Sequence, residues 1–423
     1  MIMTSNSINI NLNSEIGKLK GVILHTPGAE VQNMTPENAE RALYSHILNL
    51  HVAPQEYSQL AGVLDKLTST YQVKTLLEDV LHNSRVRENL MEKICKNEGV
   101  ELERKELDDL DEVELARQLI EGVLLQKDSL TSFLSKRRYM LKPLHNFFFT
   151  RDASIAINDK VLIAKMANNV RVRESIIMQS IFDFHPVFST TTVNPCEDKF
   201  FNSKITIEGG DIIVAREDVL LIGIGSRTTP QGVDYILKRL AEQKESMHII
   251  VQELPFEPES FIHLDMVFTF LDKDKCMVYE PVITRPNRYQ TVLISVEKGK
   301  VKIREQENIL TALKGLGFDL KPFSCGGTTD SWIQQREQWH SGANFFAFAP
   351  GKVIGYERNI YTIDDMSKGG FEIIKAKDII SGKKNADNYD NCVITIEGSE
   401  LSRGGGGARC MTMPFSREDV AWK

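Results

Sequence analysis

The sequence predicts an α/β protein: an array of related strand-and-turn modules with an all-helical stretch set into it. Three observations carry this. Residues 35–138 hold only two prolines, Pro36 and Pro54, and three glycines, Gly62, Gly99 and Gly122, while apolar residues recur there at helical spacing. From about residue 140, short hydrophobic runs alternate with turn signals. One device, a turn leading into a hydrophobic strand, appears as Asn158-Asp159-Lys160-Val161-Leu162-Ile163, Glu217-Asp218-Val219-Leu220-Leu221-Ile222, Lys273-Asp274-Lys275-Cys276-Met277-Val278 and Pro350-Gly351-Lys352-Val353-Ile354-Gly355. Such self-similarity is the signature of a closed array of β-α units.

Taken in order, Val22-Ile23-Leu24 reads as a strand closed by the turn Pro27-Gly28. In the helical stretch the spacing runs through Leu43, Ile47 and Leu50, then Leu60, Leu64 and Leu67, then Leu107, Leu110, Val113, Leu119, Ile120, Val123 and Leu124. Asp108, Asp109, Asp111 and Glu112 place acids where a helix dipole favours them. Strands are expected at 154–158, 160–165, 205–207, 211–215, 219–224, 248–252, 265–271, 275–280, 291–295, 344–349, 352–356 and 392–396. Helices are expected near 170–182, 230–244, 305–315 and 329–340. A second echo, Ile205-Thr206-Ile207-Glu208-Gly209 against Ile394-Thr395-Ile396-Glu397-Gly398, suggests a further repeat.

Composition narrows the function classes. A chain of 423 residues with 42% hydrophobic and 26% charged residues is ordinary globular material. A net charge of -7 with no basic block argues against a nucleic-acid or anionic-membrane partner. MIMTSNSINI has no secretory pattern, and no apolar run is long enough for a membrane span. The six cysteines lack CxxC spacing, which argues against a zinc site or a disulfide scaffold and suits a reducing cytoplasm.

Residues able to carry chemistry are scattered along the chain. Arg403-Gly404-Gly405-Gly406-Gly407-Ala408-Arg409-Cys410 puts a cysteine beside a cation on a loop free to approach a ligand. Alone, this cysteine is equally a small core residue. Asn146-Phe147-Phe148-Phe149-Thr150-Arg151-Asp152 is an aromatic wall ending in a carboxylate, or the edge of a core capped by an ion pair. Glu208-Gly209-Gly210-Asp211 is a bulge with solvated acids, or an acid held to orient a neighbour. His263 and Asp265, read as strand positions two apart, would share a face. Arg171 (with Arg173), Arg227 and Arg403 are surface residues singly and a carboxylate clamp together. A Cys-His pair suits acyl or amidine transfer, and the surplus of carboxylates decides for the latter. Acids aimed at the reacting carbon help only where that carbon belongs to a planar cation such as a guanidinium.

With these residues in view, the chain resembles the arginine deiminases of the guanidino-group-modifying (pentein) superfamily nearly end to end. The likeness rests on Gly17-Lys18-Leu19-Lys20, Phe149-Thr150-Arg151-Asp152, Arg171-x-Arg173-Glu174, Glu208-Gly209-Gly210-Asp211, Gly225-x-Arg227-Thr228 and His263-Leu264-Asp265. It continues through Arg336-Glu337-Gln338-Trp339, Ala349-Pro350-Gly351, Tyr356-x-Arg358-Asn359 and Arg409-Cys410-Met411. The resemblance implies a five-bladed α/β propeller over 1–34 and 139–423, with an inserted helical domain at 35–138. It implies L-arginine hydrolysis to L-citrulline and ammonia, with Cys410 attacking the guanidinium carbon. His263 would serve as acid and then base, Glu208 would support it, and Asp152 and Asp265 would bind the guanidinium. Arg171, Arg227 and Arg403 would meet the α-carboxylate, with Asn146, Phe149 and Asp211 in or near the pocket. It implies no cofactor, no metal and a homo-oligomer. Two places depart from the family's pattern: a single arginine, Arg403, in the glycine loop, and Leu43-Tyr44-Ser45-His46 and His25-Thr26-Pro27-Gly28 near the N-terminus. Amidino transfer to an amine is the alternative reaction, and a non-catalytic binding protein the alternative class.

Overall fold

The structure is a computed structural model and describes residues 7–32, 34, 47–100, 104–241 and 246–422. The expected helical positions around Leu43, and Leu43-Tyr44-Ser45-His46, lie outside the described residues.

Five sheets share one plan. In each, an antiparallel pair is extended by a third strand that runs parallel to the inner one. The pair Ser154–Ile157 and Lys160–Ile163 is joined by Thr191–Val193. Ile212–Arg216 and Val219–Ile224 are joined by Ser246–Glu253. Phe268–Asp272 and Lys275–Val278 are joined by Lys321–Ser324. Phe346–Ala349 and Lys352–Tyr356 are joined by Cys392–Ile396. Each of these four pairs turns at one of the four repeated motifs, where Asn158 (φ 55°) and Gly351 (φ 73°) adopt the left-handed backbone of tight hairpins. In the fifth sheet Leu19–Leu24 pairs antiparallel with Met413–Arg417 and parallel with Ser69–Gln72. Its two paired strands come from opposite ends of the chain, so no turn motif marks it. A parallel third strand requires a crossover. Helices Ala53–Leu67, Val172–Phe184, Pro230–Ala241, Ile309–Gly315 and Ile360–Lys368 lie in these connections.

The structure corrects several expectations. The stretch 35–138 is not all helical. Ala53–Leu67 and Ser69–Gln72 complete the fifth sheet, and Val123–Leu124 pairs with Tyr139–Leu141. The helices Val73–Leu81 and Ser84–Glu98 pack against Val172–Phe184, and Glu112–Glu121 packs on Val73–Leu81. They share one core with the strands beneath, Leu77, Ile94 and Leu119 lying in a cluster with Ile155, Val161 and Ile177. Val172–Phe184 is accordingly buried around most of its circumference, polar residues such as Arg173, Glu174 and Gln179 included. The second echo fails structurally. Ile394–Ile396 is strand, whereas Ile205–Ile207 makes a single bridge through Ile207. The residues 265–267 are not strand either; Leu264–Met266 is one turn of 3-10 helix. Among the described residues no helix is long and apolar enough to cross a membrane.

Candidate active site

Four loops, each just ahead of the outer strand of an antiparallel pair, converge around one buried chamber. Asp152 precedes Ser154–Ile157, Glu208 precedes Ile212–Arg216, His263 and Asp265 precede Phe268–Asp272, and Cys410 precedes Met413–Arg417. All five side chains are buried. His263 and Asp265 do not share a strand face. His263 is extended (φ -139°) and Asp265 sits in the turn that follows, so the two project to different partners.

The His263 ring is held at Nε2 by Glu208 Oε2 (3.0 Å) and faces Asp152 Oδ1 with Nδ1 at 3.6 Å. Gly210 makes this possible: a Cβ there would lie 2.4 Å from the ring. Glu208 also accepts from the Ala167 N–H at 3.0 Å. Burial works against its charge, but the His263 hydrogen bond and the Arg227 guanidinium outweigh it and bring the pKa to about 2. Burial likewise works against a charged His263, but Asp152 and Glu208 raise it to about 9. At neutral pH this is an ion pair with an imidazolium ready to donate from Nδ1. His263 Nδ1 and Asp152 Oδ1 face each other as an ion pair, yet neither makes a hydrogen bond, so each keeps the capacity for one. Asp152, Glu208 and His263 also place three metal-ligand-type atoms within 4.8 Å. Arg171 already takes Asp152 Oδ2 and the His263 ring already takes Glu208 Oε2, so the trio's oxygens are engaged with cationic groups of the chain and the acid–base reading fits it better.

Cys410 Sγ lies 3.6 Å from Asp265 Oδ2 and 3.8 Å from Oδ1. Burial and the charges of Asp265 and Asp152 push its pKa well above the ordinary thiol value; the Gly407 N–H and Arg409 offset this only in part. Arg409 does not hold a standing thiolate. Its guanidinium is committed to Glu15 (3.0 and 3.1 Å), Asp265 Oδ2 (2.8 Å) and the Ile212 carbonyl (2.8 Å). The substrate-free sulfur is therefore a neutral thiol.

The chamber is narrow, about 30 Å³, with Asn146, Phe149, Asp152, His263 and Cys410 in its wall. It opens past Arg227, Ile262, Gly404 and Gly405 into a wider cleft of about 560 Å³ where Arg227 and Arg403 lie. Arg171, expected at the carboxylate, lines the chamber and is already paired with groups of its own chain. It donates to Asp152 Oδ2 (2.7 Å), to Glu174 and to the carbonyls of Asn146 and Phe149. It orients Asp152 and neutralises it. Asp211, expected in or near the pocket, lies near it and outside its wall, accepting from the Leu264 N–H at 2.9 Å; burial lifts its pKa to about 7. Asp265 also stands outside the chamber wall, behind the sulfur. His25 is not in the chamber wall; its ring packs on Phe147 and pairs with Glu30 at 3.3 Å, where Glu30 closes the turn at Gly28.

Residue-type reasoning missed the groups that fix the glycine loop. Glu56, on the helix Ala53–Leu67, accepts from the N–H groups of Ser399, Glu400 and Leu401. Arg358 donates to the carbonyls of Gly398 and Ser399, and Tyr356 to the carbonyl of Gly406. Asn344 was missed too; it touches both the backbone and the sulfur of Cys410. The motif Tyr356-x-Arg358 was visible but had no role until its partners were known. Glu56→Ala leaves three buried or half-buried N–H groups unpaired. It is expected to lower the unfolding free energy by about 2–4 kcal/mol, read from urea denaturation.

The arginine deiminase family model matches residues 40–417. Arginine deiminase of Borrelia duttonii is 32% identical over 433 residues, covering 97% of this chain and 98% of that protein. The Oenococcus oeni arginine deiminase is 30% identical over 428 residues with 97% and 98% covered. The chain belongs to the arginine deiminase family. Among solved structures, an amidinotransferase from Microseira wollei in the saxitoxin biosynthetic pathway superposes with a TM-score of 0.53 at 12% identity, covering 98% of this chain and 99% of that one. The product-bound N-terminal domain of ArgZ, a cyanobacterial arginine dihydrolase, gives 0.52 at 12% identity with 94% and 97% covered. At such identities the likeness establishes a common α/β pentein fold, with the family assignment resting on the sequence relatives.

Proposed function

We propose that the protein hydrolyses L-arginine to L-citrulline and ammonia through a covalent adduct on Cys410. The observation that carries this reading is the pair of buried atoms that make no hydrogen bond, Asp152 Oδ1 and His263 Nδ1, facing the chamber that Cys410 lines. A guanidinium entering the chamber donates to Asp152. Its charge lowers the thiol pKa, and the thiol proton leaves to solvent. Once the S–H is gone, Asp265 Oδ1, the oxygen that Arg409 leaves free, turns past the sulfur to accept a second guanidinium N–H. The thiolate forms a C–S bond to the guanidinium carbon. His263 gives its proton to the departing nitrogen, the C–N bond breaks and ammonia leaves. The neutral imidazole next takes one proton from water as the oxygen attacks; the C–S bond then breaks, the hydroxyl's remaining proton leaves to solvent as the C=O forms, and citrulline is released with the thiolate restored. Arg227 and Arg403 meet the α-carboxylate in the outer cleft, while Asn146 and Phe149 border the side chain. The five sheets of common plan support a five-bladed propeller around this site, and we place the helical insertion at 73–138.

Purified protein with arginine alone should release ammonia and citrulline in equal amounts. Consumption of arginine only when an amine acceptor is added, without ammonia, would instead assign amidino transfer. The acid role of His263 predicts an alkaline limb of kcat near pH 9. Glu208→Gln removes the charge that helps to raise it, so the limb is expected to move toward neutrality, by about one pH unit or more, in a kcat–pH profile.

A further inference from the structure

Each of the five sheets sends a loop to the chamber just ahead of its first paired strand. Four of these loops carry residues already given roles. The fifth, ahead of Phe346–Ala349, carries Asn344, two residues before its strand as Asp152 is before Ser154. We propose that Asn344 is a further catalytic residue, which donates a hydrogen bond to the Cys410 sulfur and stabilises its ionised form. The inference rests on Cys410 being the nucleophile.

The orientation of the amide is fixed by its surroundings. Asn344 Oδ1 accepts from the N–H groups of Arg409 (2.9 Å) and Cys410 (3.2 Å), so Nδ2 must point the other way. Nδ2 lies 3.2 Å from Cys410 Sγ and 3.1 Å from the Asp265 carbonyl. The side chain is buried, and a Cβ at Gly407 would come within 2.7 Å of its oxygen, so a glycine there seats the amide.

The other groups around the sulfur explain the need for a donor. Asp265 and Asp152 oppose a negative sulfur, and Arg409 is held by Glu15 and Asp265. Tyr356 gives its hydroxyl to the Gly406 carbonyl, and His263 is engaged with Glu208. The Gly407 N–H and the Asn344 amide are left to meet the sulfur. When the thiol ionises, the S–H bond breaks, the electron pair stays on sulfur and the proton goes to solvent. The Nδ2–H contact then changes from a neutral to a charge-assisted hydrogen bond, roughly twice as strong. It acts again in the second half-reaction, when the C–S bond breaks and the pair returns to sulfur.

The test is the pH dependence of Cys410 alkylation by iodoacetamide in folded, substrate-free protein. Peptide mass spectrometry must locate the label, because Cys196 is exposed and reacts as well. Asn344→Ala removes the donor without adding charge. Its apparent thiol pKa should rise by about one to two, making alkylation ~10–100-fold slower at any pH below the plateau. Asn344→Asp keeps an acceptor for both backbone N–H groups and substitutes a negative oxygen for the donor, so it should shift the profile further. It also serves if the alanine variant does not fold. A folded variant of either kind with the wild-type profile overturns the proposal and leaves Asn344 a purely structural residue, whatever happens to turnover. Because no arginine is used, failure of wild-type protein to release ammonia would count against the proposed reaction and not against this contact.

Discussion

Cys410→Ala is expected to abolish arginine turnover, lowering kcat by about 10⁴-fold or more, while arginine still binds. Among the described residues the chamber wall holds no second thiol and no hydroxyl; beside Cys410 its titratable groups are Asp152, His263 and two arginines. Binding survives because Asp152 remains oriented by Arg171 and Glu174 and keeps its free oxygen toward the substrate. The variant also removes a group whose ionisation opposes Asp265 and Asp152, so the cation loses no attractive partner present in the free enzyme. Calorimetric titration with arginine, together with an ammonia assay, separates the two parameters: binding within a few-fold of wild type and turnover at background.

His263→Ala should be nearly as severe, with kcat reduced by about 10³–10⁴-fold. The ring serves both halves of the reaction, and expulsion of an unprotonated nitrogen from the adduct is the costlier failure. Removing it also strands Glu208, whose charge is then balanced chiefly by Arg227 and the Ala167 N–H. A loss of stability is therefore expected beside the loss of activity. Residual turnover should lack the alkaline limb near pH 9 that the wild-type imidazolium imposes. A residual profile with the limb unchanged would show that another group supplies the proton.

The four hairpins were legible because each is closed by a short local turn with its own chemistry, and local signals survive in sequence. The fifth was not, because Leu19–Leu24 and Met413–Arg417 meet only after the whole chain has wound round. The same distance hid its crossover helix: Ala53–Leu67 reads like its helical neighbours, and only pairing of Ser69–Gln72 with Leu19–Leu24 assigns it to a sheet. In the site, residues with unusual chemistry in apolar settings, Cys410, His263, Glu208 and Asp152, stood out by type. Arg171 stood out equally, yet a lone arginine does not disclose whether a carboxylate of its own chain awaits it; Glu174, one helical turn on, was the available clue. Asn344 and Glu56 gave no sign. A neutral amide and a helical glutamate are common, and their partners lie 66 and 343 or more residues away.

The central claim, that Cys410 carries the amidino group of arginine during turnover, is tested most directly by acid-quenching the enzyme at saturating arginine and analysing its peptides by mass spectrometry. The account predicts a transient adduct of arginine less ammonia on the peptide containing Cys410, formed as the first ammonia appears and decaying as citrulline is released. Steady production of citrulline with Cys410 unmodified at every quench time, and undiminished in Cys410→Ala, would contradict it.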